Sequence, residues 1–92
     1  MNNPERPDTQ RLWETYRRFA VVRLAINMRC KDKAEAWLCS KSLPQSDRDR
    51  LWNEYEALCR EYDIIDAKVC VARARYIVAR HGLNESDIFE AQ

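Results

Sequence analysis

Between Pro44 and Gly82 an apolar residue recurs every three or four positions without a miss: Leu51, Tyr55, Leu58, Tyr62, Ile65, Val69, Ala72, Tyr76 and Ala79. The 4-3-4-3 spacing averages 3.5 residues, the period of a helix that lays one seam against another helix. Helix punctuation frames the run. Ser46 is a good cap, Asp47 and Asp49 place negative charge in the first turn, Arg80 and His81 place cations at the far end, and Gly82 supplies a left-handed stop. A long helix is therefore expected over 46–81.

A second apolar-periodic run, with Leu12, Trp13, Tyr16, Phe19, Ala20, Leu24, Ile26 and Met28, predicts a helix over 8–31 capped by Asp8 or Thr9. Asp32 can cap a short helix over 32–42 that carries Ala34, Trp37 and Leu38, and Pro44 ends it. Residues 1–7, with two prolines, read as a loose tail, and 84–91 as a short terminal turn or helix carrying Ile88 and Phe89. The expected fold is a single all-α domain: a small bundle of three to four helices with coiled-coil-like packing and a long third helix, continuous or broken.

The long helix poses a size problem. Thirty-five residues or so of straight helix span roughly 52 Å. A compact chain of 92 residues has a radius of gyration near 12 Å and is about 30 Å across. From Ile64 to Ala79 only Asp66, Lys68, Arg73 and Arg75 are polar, so an overhanging end would expose apolar surface. Either the helix breaks near Tyr62–Asp66 and folds back, or a second copy covers it through Ile65, Val69, Ala72 and Tyr76. The second route makes the protein a homodimer.

There is also an internal echo. Arg11-Leu12-Trp13 with Tyr16 and Ile26 recurs 39 residues on as Arg50-Leu51-Trp52 with Tyr55 and Ile65. Two amphipathic helices can match this far by coincidence; a duplication would imply a pseudo-twofold core.

Composition sharpens the picture in three ways. A single glycine and three prolines leave little material for the turns a β-fold of this size needs. The net charge of +1 conceals segregation: residues 1–33 carry eight basic and four acidic side chains, 34–66 carry four and eight, and 67–81 carry four and none. Twelve of the sixteen basic residues are arginine, the better fork for carboxylates and phosphates. Finally, no stretch approaches the roughly 20 apolar residues of a membrane span, and no apolar signal core opens the chain. The expected location is cytoplasmic, with Cys30, Cys39, Cys59 and Cys70 reduced.

Catalytic chemistry finds little support. His81 is the one histidine and stands at a helix end, where a cation is favoured anyway. Glu54, Glu56, Glu61 and Asp63 read as a solvated face rather than an acid/base pair. Cys59, Cys70 and His81 are eleven residues apart along one helix, about 16 Å per step, too far to close on one metal ion. No cofactor, metal or small-molecule substrate is expected. The join at Pro44 is too irregular for a helix-turn-helix, and one glycine cannot build a phosphate loop.

The remaining signal is a macromolecular interface. Arg17, Arg18, Arg29, Lys31 and Lys33 on or after the first helix, Trp37, and Arg73, Arg75 and Arg80 on the last helical stretch are the candidate binding residues, arginine and aromatic anchors being the types that most often dominate interfaces. The preferred expectation is a non-enzymatic protein–protein interaction module, a small regulator, adaptor or inhibitor of a macromolecular complex. The alternative is nucleic-acid binding by an arginine-rich face. Arg23 and Asp66, the two charges most embedded in apolar sequence, either pair with each other to fix register or dimer geometry or simply face water.

Overall fold

The computed structural model describes residues 7–83, and there it contains two helices and a loop. Helix α1 spans Pro7–Leu38 and helix α2 spans Gln45–His81. They run antiparallel as an extended hairpin, 65 × 29 × 13 Å, with a radius of gyration of 19.2 Å. The expected bundle of three to four helices is therefore corrected to two, one layer deep. The expected tail at 1–7 lies outside the described residues except for Pro7, which is the first residue of α1, and the expected terminal turn at 84–91 lies outside them too.

The separate helix over 32–42 does not form, because α1 continues through Asp32 to Leu38. The stretch Lys31 to Ala36 contains no glycine or proline, and Asp inside a helix costs only a fraction of a kcal/mol, ~0.5 or so. The seam also stays in phase: Ile26, Cys30, Lys33 and Trp37 continue the 4-3-4 spacing and face α2. The helix ends where the backbone tightens, with the Ser40 amide donating to the Trp37 carbonyl at 3.1 Å. The Ser40 hydroxyl donates to that same carbonyl, and Ser40 is 1% exposed. Arg48 then donates to the Ser40 oxygen at 3.2 Å, tying the loop to α2.

Helix α2 starts one residue before the expected cap. Pro44 occupies the N-cap position with no side-chain bond, and Ser46 falls inside the first turn. The other end follows expectation. Gly82 sits at φ 68°, its amide donates to Ala79, and the Leu83 amide donates to Val78, the paired bonds of a left-handed stop.

Helix α2 does not break near Tyr62–Asp66. Its 37 residues run for about 55 Å, and α1, nearly as long, lies alongside. The compact-globule size rule does not apply to a hairpin of two rods. The residues at the expected break are instead central to the seam, where Ile26, Ile65 and Val69 form the buried cluster and Tyr16, Phe19, Cys30 and Tyr62 pack on it.

The register is uniform. Trp13 contacts Tyr76, Arg23 pairs with Asp66, and Trp37 contacts Trp52; in each pair the residue numbers add to 89. This register gives the internal echo a spatial meaning. Advancing α1 residues by 39, and setting α2 residues back by 39, turns the Trp13–Tyr76 contact into the Trp52–Trp37 contact. Trp13 also stacks on Tyr16 at 5.5 Å, and Trp52 on Tyr55 at 5.4 Å. Asp8–Arg11 and Asp47–Arg50 are equivalent ion pairs. Each helix thus opens with an Asp–Arg bracket and a Trp–Tyr step, and the contact pattern is pseudo-twofold about Ile26 and Ile65.

Candidate interaction surface

The two halves of the hairpin differ in charge. In the open half, residues 7–24 and 66–83, there are eight basic and three acidic side chains. In the loop half, residues 25–65, there are seven basic and eight acidic. The antiparallel register brings Arg17 and Arg18 of α1 alongside Lys68, Arg73 and Arg75 of α2, with Arg80 beyond them, so the two basic sets of the sequence do share one half of the molecule. All six are exposed. Arg29 and Lys31 are exposed too, but lie further along α1 towards the loop.

Four candidate residues are already engaged within the chain: Arg80 donates to the Tyr76 hydroxyl and lies 5.9 Å from the centre of its ring, Arg75 makes an interaction of its own, and Lys33 and Trp37 have partners on α2. Lys33 donates to Glu54 at 2.7 Å, and its ammonium group holds the Glu54 carboxyl below the usual range. Trp37 lies half-buried on Trp52, ring centroids 5.1 Å apart, with the Arg48 guanidinium 5.5 Å over its face. It serves the loop end of the hairpin. The four residues assigned to self-association are also accounted for within the chain. Ile65, Val69 and Ala72 are 8%, 2% and 6% exposed, and Tyr76 stacks on Trp13. A second copy has to use another face.

Arg23 and Asp66 form the pair that their sequence context suggested. The guanidinium donates to the carboxylate at 2.7 Å, and this bond raises the arginine pKa. Both side chains keep a third or more of their surface in water, so the pair contributes no more than about 1 kcal/mol.

Next along the seam, Cys30 and Cys59 face each other. Burial pushes the Cys30 thiol up, with Cys59 adding to the shift, and a hydrogen bond with Cys59 raises Tyr55. All four cysteines are free thiols. A thiol held protonated is a poor nucleophile, so burial leaves Cys30 unactivated. Among the described residues no group of three His, Cys, Asp or Glu could hold a metal ion, and no helix is long and apolar enough to cross a membrane.

What the hairpin leaves uncovered is apolar. On α1, Val21, Leu24 and Met28 are 65%, 59% and 59% exposed, spaced three and four apart. On α2, Ile64 is 60% and Val71 is 42% exposed. Val71 borders a groove of about 400 Å³ between the helices, where Leu12, Phe19 and Ala72 supply apolar walls and Lys68 and Arg75 contribute cations. The sequence carried a sign of this second surface. Apolar doublets recur every seven residues as Ala57-Leu58, Ile64-Ile65 and Val71-Ala72. In each doublet the second residue is buried and the first points elsewhere, about 100° round the helix.

The arrangement defines an all-α antiparallel helical hairpin. In comparisons with known proteins, no family model, no curated protein and no solved structure matches the chain.

Proposed function

We propose that the protein is a non-enzymatic helical docking module, a small regulator, adaptor or inhibitor that self-associates and engages a macromolecular partner in the cytoplasm. The observation that carries this reading is the uncovered apolar surface of a one-layer hairpin. Two helices can bury only the stripe each turns to the other. Here Val21, Leu24, Met28, Ile64 and Val71 stand outside that seam, on long exposed helices. Exposed apolar side chains that recur at helical spacing and are flanked by charge are a usual mark of an interface. The α1 stripe, with Arg17, Arg29 and Lys31 nearby, suits a partner protein with an apolar and acidic surface.

The test is light scattering behind a sizing column over a dilution series, with an apolar dye as a second readout. A two-chain mass that falls towards one on dilution supports the reading. A strict monomer that binds no dye overturns it.

A second reading is nucleic-acid binding, favoured by the convergence of Arg17, Arg18, Lys68, Arg73 and Arg75 in one half of the molecule. Phosphate binding by such a set weakens steeply with salt. Titration with duplex and single-stranded oligonucleotides at two salt concentrations tests it. Salt-sensitive binding that disappears on neutralising Arg17 and Arg18 supports it, and no binding at low salt removes it.

A further inference from the structure

One flank of α2, about 100° round from the seam, carries a second stripe with its own 3-4-3-4 spacing: Glu54, Ala57, Glu61, Ile64, Lys68, Val71 and Arg75. Apolar positions recur every seven residues, at Ala57, Ile64 and Val71, and charges occupy the positions between. The first two charges are acidic and the last two are basic. A stripe with this order is complementary to itself, but only when reversed.

We propose that two copies of the chain pair antiparallel along this flanking stripe of α2, about a twofold axis near Ile64. The proposal rests on the self-association reading above and names its interface. With the axis there, Ile64 meets Ile64 of the second copy, and Ala57 comes level with Val71. Glu61 comes within one residue of Lys68, about 1.5 Å along the axis, and Glu54 equally near Arg75. A parallel pairing would instead set Glu61 against Glu61 and Lys68 against Lys68, so charge selects the orientation.

The central charges carry the selection. Neither Glu61 nor Lys68 has an ion-pair partner among the described residues, and both are exposed. Glu54 and Arg75 are engaged within the chain and contribute less: Glu54 bonds Lys33, and Arg75 makes an interaction of its own.

The groove beside Val71 lies on the same side. Its open edge, between Lys68 and Arg75, receives the turn around the partner's Ala57, which places that copy's acidic residues beside these cations. Each interface charge appears twice in a twofold pair, so one substitution alters two contacts. The seam between α1 and α2 is undisturbed, because the buried member of each apolar doublet still faces α1.

The experiment uses the full chain and three variants: Glu61→Lys, Lys68→Glu, and the double swap. Dissociation constants are read by analytical ultracentrifugation. Each single swap places like charges opposite each other twice, and is expected to weaken the dimer about tenfold or more. The double swap restores the wild-type value to within a few-fold. Mixing the two single variants yields a heterodimer tighter than either homodimer, because every contact is then attractive. Circular dichroism confirms that each variant keeps its helices. A wild-type dimer that none of the swaps alters overturns this interface while leaving self-association standing. A wild-type chain that stays monomeric at every concentration overturns both.

Discussion

The two ends of the hairpin are built alike and charged differently. Each begins with an Asp–Arg bracket, follows it with a Trp–Tyr step, and lays the tryptophan on an aromatic of the facing helix, Tyr76 at the open end and Trp37 at the loop end. The aromatic frame therefore belongs to the fold. The charges around it do not follow the same symmetry. Near the loop, Lys33 is bound to Glu54 and the acids slightly outnumber the bases. At the open end the bases outnumber the acids by more than two to one. What differs between two equivalent ends is the better guide to function, and here the difference is a cationic surface beside an apolar groove.

The centre that both ends share should be the most sensitive place. Ile65→Ala removes buried methyl groups from the Ile26–Val69 cluster. It is expected to cost about 2–4 kcal/mol in urea unfolding, enough to unfold a marginal hairpin. The equivalent tryptophans, Trp13 and Trp52, come next. Trp13→Ala and Trp52→Ala should each cost about 2 kcal/mol, less than a fully buried tryptophan because both rings are partly exposed. Similar losses sharpen the equivalence of the two ends; a loss at one end alone breaks it.

The ionic difference gives a smaller effect with a pH signature. The folded-state pKa of Glu54 is lowered by Lys33. Its contribution to stability is present above the ordinary glutamate value of 4.5 and is lost as pH falls through the depressed one. The melting temperatures of wild type and Glu54→Gln should differ near neutral pH and converge in acid. Neutralising Arg17 and Arg18, both exposed, should change stability by no more than about 0.5 kcal/mol. A large loss would show that these arginines hold the fold rather than serve a partner. Thiol chemistry follows the same division of covered and open positions. Cys39 and Cys70, both exposed, should react with a thiol reagent faster than Cys30, whose pKa burial has raised.

The seam of α2 was legible because its period is the physical requirement for lying against another rod, and Gly82 was legible because few other residues accept its φ. The Arg23–Asp66 pair was legible only as one of two readings, because the cost of burying either charge alone among apolar neighbours is avoided equally well by facing water. The continuation of α1 through Asp32 was hidden, because a capping residue looks the same whether or not the chain breaks there. What decides the matter is Trp37, whose contact with Trp52 rewards another turn and a half of helix. The single-layer shape was hidden by a rule for compact globules. Lys33 and Trp37 looked like free binding groups because the partners that occupy them, Glu54 and Trp52, are 21 and 15 residues away in sequence. The flanking stripe of α2 was visible as apolar doublets, but its members stand out only because the second residue of each doublet is taken up by the seam with α1.

Small-angle X-ray scattering across a concentration series tests the central claim most directly, that two rods lie side by side in one layer and acquire a second layer by pairing lengthwise. At the lowest concentration the account predicts a particle about 65 Å long with a radius of gyration near 19.2 Å. As concentration rises, the cross-section should thicken while the length stays nearly constant. A radius of gyration near 12 Å, the compact-globule value, or a particle that grows in length instead of thickness, would contradict it.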